Sequence, residues 1–180
     1  MKILLTNDDG YKSPGIKYLH SCLINHGEVV QAAPSKNMSA CSSSLSVHNP
    51  VLIKNPSKNN YIINGTPSDC VHIASKGLLK KLPDIVFSGI NFGSNLGDDV
   101  IYSGTVAGAI EGRYCRYSPV SISIASREPQ FLSDIDEKII GTSFFVMEFL
   151  DGNIYWDLLL EDFNPKIRRA IYDSKNKVIS

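Results

Sequence analysis

Short apolar runs alternate along this chain with stretches of helical periodicity, and that alternation constrains the fold more than any other feature. Ile3-Leu4-Leu5, the span 28–33 and the span 84–88 each read as a buried strand followed by a loop. Between the first two, Ile16, Leu19, Leu23 and Ile24 recur at helical spacing, with Pro14 and Gly15 at the start and Gly27 placed to end the helix. Thr66-Pro67-Ser68-Asp69 opens a second helix, running to about Leu79, with an N-cap candidate, a proline at the first position and an acid in the first turn. A third helix, rich in small residues, is expected over 105–114, and a further strand over 119–125. Residues 45–54 and 61–64 read as a β-hairpin around the polar run 55–60. Ser133 and Asp136 suggest a capping box that opens a helix with the apolar face Ile135, Ile139, Ile140, Phe144, Met147 and Leu150. Residues 151–180 carry no clear periodicity.

Strands alternating with helices predict an α/β fold, a mostly parallel sheet covered by helices on both faces. At 180 residues and 43% hydrophobic, the chain suits one such domain and is too short for two full ones. Lys+Arg and Asp+Glu both number 18, so no basic excess points to a nucleic-acid duplex as partner. Local charge placement still leaves room for a small anionic substrate. Cys22, Cys41, Cys70 and Cys115 form no C-x-x-C pair, and the four histidines lack metal-ligand spacing. Scattered single cysteines fit a reducing compartment. No run approaches the roughly 20 apolar residues of a membrane span, and the opening residues lack a signal-peptide pattern. These features lead us to expect a cytoplasmic protein with no membrane partner.

In open α/β sheets, ligands bind outside the carboxyl ends of the strands, and three unusual segments fall there. The first is Thr6-Asn7-Asp8-Asp9-Gly10. Adjacent acids on a regular strand point to opposite faces, but where the chain turns at Gly10 both carboxylates can converge. Paired carboxylates repel unless a proton or cation lies between them, and oxygen donors favour Mg²⁺, Mn²⁺ or Ca²⁺. The competing reading is that one acid caps the following helix and the other is solvated. The second segment, 37–44, is a serine-rich loop whose hydroxyls could serve a metal or a phosphate; by composition alone it is an ordinary loop. The third, from Ser88 to Thr105, joins a strand to a helix through four glycines, and long ordered loops in compact domains are usually functional. Its end, Ser103-Gly104-Thr105, offers hydroxyls and backbone N–H groups at a helix N-terminus, an anion site. It is neither a P-loop nor a G-x-G-x-x-G turn. Asp98 and Asp99 are read as structural, because acids there would repel a nearby phosphate.

Together these segments resemble the SurE family, survival-protein nucleotidases that act on nucleoside 5′- and 3′-monophosphates. The matching residues are Ile3 through Tyr11 with Pro14-Gly15-Ile16, then Gly65-Thr66-Pro67-Ser68-Asp69-Cys70-Val71, then a long block from Pro83-Asp84 through Ser88-Gly89-Ile90-Asn91, Gly93, Asn95 to Val100 and Tyr102 to Val106, reaching Glu111-Gly112. The likeness covers about the first 130 residues, which we expect to be a SurE-like catalytic core, with 131–180 a helix and an atypical, shortened C-terminal segment of the same domain. The resemblance implies a Rossmann-like three-layer sandwich and one divalent metal ion, Mg²⁺ or Mn²⁺. It places metal ligands on Asp8, Asp9, Ser39 and Asn95, and phosphate contacts on Asn91, Ser103, Gly104 and Thr105. Family members have glycine after the ligand serine. This chain has Ala40, which costs stability if the backbone there is left-handed. They also continue further, with a C-terminal region used for subunit exchange into dimers or tetramers that this chain does not visibly match.

The expected function is metal-dependent hydrolysis of nucleoside monophosphates to nucleoside and phosphate, with Asp8, Asp9 and Asn91 as catalytic residues. The metal would neutralise charge and activate water, while Asn91 and the 103–105 helix start hold phosphate oxygens. One aspartate acting as nucleophile or general base is an open alternative. Two other readings compete: a non-catalytic nucleotide- or metal-binding relic, and a phosphatase for other small substrates such as short polyphosphate.

Overall fold

The computed structural model describes residues 1–95 and 97–124, together with the backbone of 142–146. Its first elements are β1 (Lys2–Thr6), α1 (Pro14–Leu23) and β2 (Glu28–Pro34). A hairpin follows, β3 (Ile53–Ser57) and β4 (Asn60–Ile63), and then α2 (Pro67–Ile73), which runs on into a π-helical turn, Ala74–Leu78. Next come β5 (Ile85–Phe92), the single-turn α3 (Asp99–Tyr102), α4 (Gly104–Glu111), β6 (Val120–Ile124) and β7 (Thr142–Val146).

The strands form one sheet in the order β3-β4-β2-β1-β5-β6-β7. The five inner strands are parallel, and β3 and β7 add antiparallel edges. Alternation along β1 explains the three layers. Ile3 and Leu5 face α1 and pack with Ile16, Leu19, Leu23, Phe87 and Ile90, while Leu4 faces α2 and packs with Val30, Ile63, Val71 and Val86. Both sets are buried, which is why the strand reads as continuously apolar. Each fully buried Leu or Ile contributes about 2 kcal/mol. Helix α4 lies beside α2. Its Gly108 lets it settle onto the sheet, for a Cβ there would stand 2.9 Å from Thr6 Cγ2 and 3.0 Å from Ser88 Oγ.

Chain order places a switch point at the centre. From β1 the chain moves outward through α1 to β2 and β4, then returns through α2 to β5 on the other side of β1. The loops after β1 and β5 therefore diverge from neighbouring strands and leave a crevice at their carboxyl ends.

The structure departs from several expectations. Helix α1 ends at Leu23, and the His26 N–H closes a turn onto the Leu23 carbonyl at 2.9 Å. Gly27 does not terminate the helix. It lets the chain pass the N-terminus, where a Cβ would overlap the Met1 carbonyl oxygen.

The hairpin lies later than its hydrophobicity suggests. Residues 45–52 are not a strand, and β3 instead takes up the first half of the polar run. All of β3 is exposed at the sheet edge, so no apolar alternation marks it, and Pro56 is tolerated there. Asn59, at φ 63°, makes the tight turn. Strand β5 continues past its expected end at Ser88, through Gly89 to Phe92. The register shifts between Ser88 and Asn91, and Gly89 (φ 141°) allows the Ile122 carbonyl oxygen to come within 2.5 Å of where a Cβ would be. The glycine marks a bulge rather than the strand's end. The helix expected from Ser133 to Leu150 is contradicted at 142–146, which pair with β6 as an antiparallel strand. Its sequence, Thr-Ser-Phe-Phe-Val, has strong strand propensity. The rest of that expected helix, the boundary at 130 and residues 151–180 lie outside the described residues. Among the described residues, no helix is long and apolar enough to cross a membrane.

Candidate functional site

The crevice gathers the ends of β1, β2 and β5 and the start of α4. Gly10 (φ 96°) turns the chain immediately after the two acids, and a Cβ there would lie 3.2 Å from the Lys36 carbonyl carbon. The β1 and β2 loops are thereby held together, with Met38 N–H donating to the Asp8 carbonyl at 2.7 Å and Tyr11 N–H to the Pro34 carbonyl at 2.9 Å.

Asp8 is buried, 3% exposed. Its Oδ1 accepts a hydrogen bond from Thr105 Oγ1 at 2.6 Å. Burial raises its pKa, and the Thr105 bond only partly opposes this. Asp9 is half-buried; Oδ2 accepts from Phe92 N–H at 3.4 Å and Oδ1 from Asn37 Nδ2 at 3.3 Å. Burial and then the neighbouring Asp8 charge push its pKa up to about 6. Among the described residues neither carboxylate has an ion-pair partner.

Ser39 reaches this pair through Asn37, whose Oδ1 accepts from Ser39 N–H at 2.9 Å and Ser39 Oγ at 2.7 Å. In the sequence Asn37 is only one member of a polar loop; an amide needs a partner on each side to act as a bridge, and only the fold supplies both. Ala40 has φ 57° and Ser42 φ 51°, so the loop does demand a left-handed backbone where this chain has alanine. The loop is also tied down from below. Asp69 accepts from Ser46 N–H at 2.8 Å, Ser46 Oγ at 2.7 Å and Thr66 N–H at 2.8 Å, and thus combines a capping box with a loop anchor.

At the start of α4, Ser103 Oγ is the N-cap and accepts from Val106 N–H at 3.2 Å. Gly104 touches the wall of the acidic pair: a Cβ would stand 3.0 Å from Asp8 Cβ, 2.9 Å from Cys41 Sγ and 3.2 Å from the Met38 carbonyl oxygen. Thr105's hydroxyl and backbone N–H are committed to Asp8, the Val106 N–H to Ser103 Oγ and the Ala107 N–H to the Ser103 carbonyl, so an anion here would rely on the Gly104 N–H at the start of the helix. Asn91 donates one amide N–H to the Gly93 carbonyl at 2.8 Å, leaving its second N–H. Asn95 is buried and donates to Ser123 Oγ at 2.6 Å. Asp98 and Asp99 sit at the exposed start of α3.

The structure thus draws Asp8, Asp9, the Ser39 loop, Gly104 and Thr105 directly together, while the Asn91 and Asn95 side chains are bonded to their own loop and to β6. A divalent cation suits this donor set. Among the described residues the two carboxylates have no ion-pair partner, and the other candidate donors are hydroxyl and amide oxygens. Among the described residues no group of three or more His, Cys, Asp or Glu side chains is placed to hold a metal ion, so any cation here would depend on hydroxyl and amide donors beside the two carboxylates.

Residues 3–163 match the family model described as Survival protein SurE. A protein named 5'-nucleotidase SurE from Ruthia magnifica subsp. Calyptogena magnifica is 56% identical over 130 residues, covering 72% of this chain and 53% of that protein. Another of that name, from Azotobacter vinelandii, is 51% identical over 132 residues, covering 73% and 53% respectively. The crystal structure of the Sure protein from Aquifex aeolicus superposes with a TM-score of 0.67 at 41% identity, over 77% of this chain and 60% of that one. The chain spans about half the length of the curated relatives it matches. With the family model covering most of its length and the fold agreeing, the chain belongs to the survival protein SurE family.

Proposed function

We propose that this chain is a divalent-cation-dependent phosphohydrolase acting on nucleoside 5′- and 3′-monophosphates. One observation carries the reading: the acidic pair shares a wall with the N-terminus of α4, through the 2.6 Å Thr105–Asp8 bond and the close approach of Gly104 to Asp8. Cation and phosphate subsites are then adjacent, as phosphoryl transfer to water requires. The name 5'-nucleotidase SurE carried by similar proteins supports the same substrate class.

Asp8, Asp9, Ser39 and Asn95 would hold one Mg²⁺ or Mn²⁺. When bound, such a cation supplies positive charge against the charge developing on phosphate. Thr105 holds the Asp8 carboxylate in place. Asn37 links Ser39 to Asp9. The Gly104 N–H at the start of α4 and the second Asn91 N–H would orient phosphate oxygens, and these charge-assisted bonds strengthen as charge builds.

Phosphate release from 5′-AMP, 5′-GMP and 3′-AMP, measured with Mg²⁺, with Mn²⁺ and with EDTA, tests the proposal. The expected result is cation-dependent release that Asp9→Asn removes. Nucleotide binding by folded protein without release under any condition would turn the reading to a non-catalytic binding module. Preferred release from short polyphosphate would change the substrate class.

A further inference from the structure

Asn95 lies in the segment between β5 and α3, where Gly93 (φ 116°) and Gly97 (φ 56°) bend the backbone on either side. Such a segment does not by itself aim a side chain. Its ties lead to β6: Gly93 N–H donates to the Ile124 carbonyl at 2.9 Å, and Asn95 Nδ2 donates to Ser123 Oγ at 2.6 Å. Asn95 is 8% exposed and Ser123 fully buried, so water has little access to this bond.

We infer that Ser123 is a positioning residue for the cation site, acting through Asn95. The inference rests on the proposal that Asn95 is a cation ligand. An amide ligates a cation through its oxygen, and its NH₂ group then needs an acceptor. In this buried place Ser123 Oγ is that acceptor. Without it, Asn95 would leave a donor unsatisfied whenever its oxygen faced the cation, and the side chain would be free to turn away. Partners of this kind, one bond removed from the metal, typically alter affinity about 10- to 100-fold when removed. Nothing in the sequence marks this role, since a serine on β6 looks like any other strand residue.

A double-mutant cycle on Mn²⁺ affinity, read by electron paramagnetic resonance of free Mn²⁺, tests it, with thermal melting in EDTA as the folding control. Ser123→Ala is expected to weaken Mn²⁺ binding about tenfold. In an Asn95→Ala background the same substitution should have no further effect, and Ser123→Thr, which keeps the hydroxyl, should restore affinity towards that of the parent. An unchanged affinity in Ser123→Ala, alongside a weakened one in Asn95→Ala, would overturn the inference. So would additive losses in the double variant, because Ser123 would then act independently of Asn95. No change in Asn95→Ala itself would instead sink the ligand assignment on which the inference rests.

Discussion

Asp8 and Asp9 are the residues on which the proposed cation site depends, and their environment opposes their own charge. Asp9 has its pKa raised from 3.8 to about 6, by burial first and by Asp8 second. Above pH 6 the carboxylate is ionised in both folded and unfolded chains, and the fold bears the cost. As pH falls through 6, the folded protein takes up a proton that the unfolded chain does not, and the cost fades. Cation-free Asp9→Asn should therefore be more stable than the parent at pH 7.5, by about 1 kcal/mol once partial exposure screens the charge, with the gap about halved at pH 5 and closing only towards pH 4. The same variant should lose phosphate release by on the order of 100-fold or more. Thermal melts at each pH, paired with a phosphate assay, check both parts. Ala40 is a second case of a single residue at odds with its surroundings. At φ 57° its Cβ is strained, so Ala40→Gly should stabilise the protein by about 1 kcal/mol, read as an increased urea midpoint. An alanine after Ser39 is visible in the sequence; the left-handed backbone that makes it costly is not.

Between elements, glycine decides how closely helix and sheet meet. At Gly15 a Cβ would overlap the Ile90 carbonyl oxygen, a backbone atom that cannot swing aside. Gly15→Ala should cost about 2–3 kcal/mol, measured by urea denaturation. Because Ile90 precedes Asn91, phosphate release should fall as well. The helices are legible in the sequence because caps and apolar spacing are local signals: Ser13 caps α1 by accepting from Ile16 N–H, and Thr66 with Asp69 forms the box that opens α2. Strand β3 is not legible because an exposed edge carries no hydrophobic pattern. The end of β5 is hidden because Gly89 reads as punctuation when it in fact admits a neighbouring backbone.

Across the fold, the site exists because β1 and β5 are neighbours whose chains leave in different directions. Cation binding should therefore stabilise the entire domain: Mn²⁺ at about 100 times its Kd should add about 2.7 kcal/mol at pH 7.5. The gain should shrink towards pH 5, where protons compete for Asp8 and Asp9, and a melting series with Mn²⁺ and with EDTA at each pH measures it. The alternating elements, the helix caps, the acidic pair Asp8 and Asp9 and the helix start Ser103 to Thr105 can be read along the chain, since each is a local pattern of spacing or chemistry, whereas Ser39, Asn91 and Asn95 are singled out only by the family resemblance. The partnerships among these residues cannot be read along the chain. Thr105 on Asp8, Asn37 between Asp9 and Ser39, and Ser123 behind Asn95 join residues distant in sequence or set by a turn. Hydrogen bonds of this kind depend on sheet order and loop direction, which arise only when the chain is folded and which no local pattern encodes.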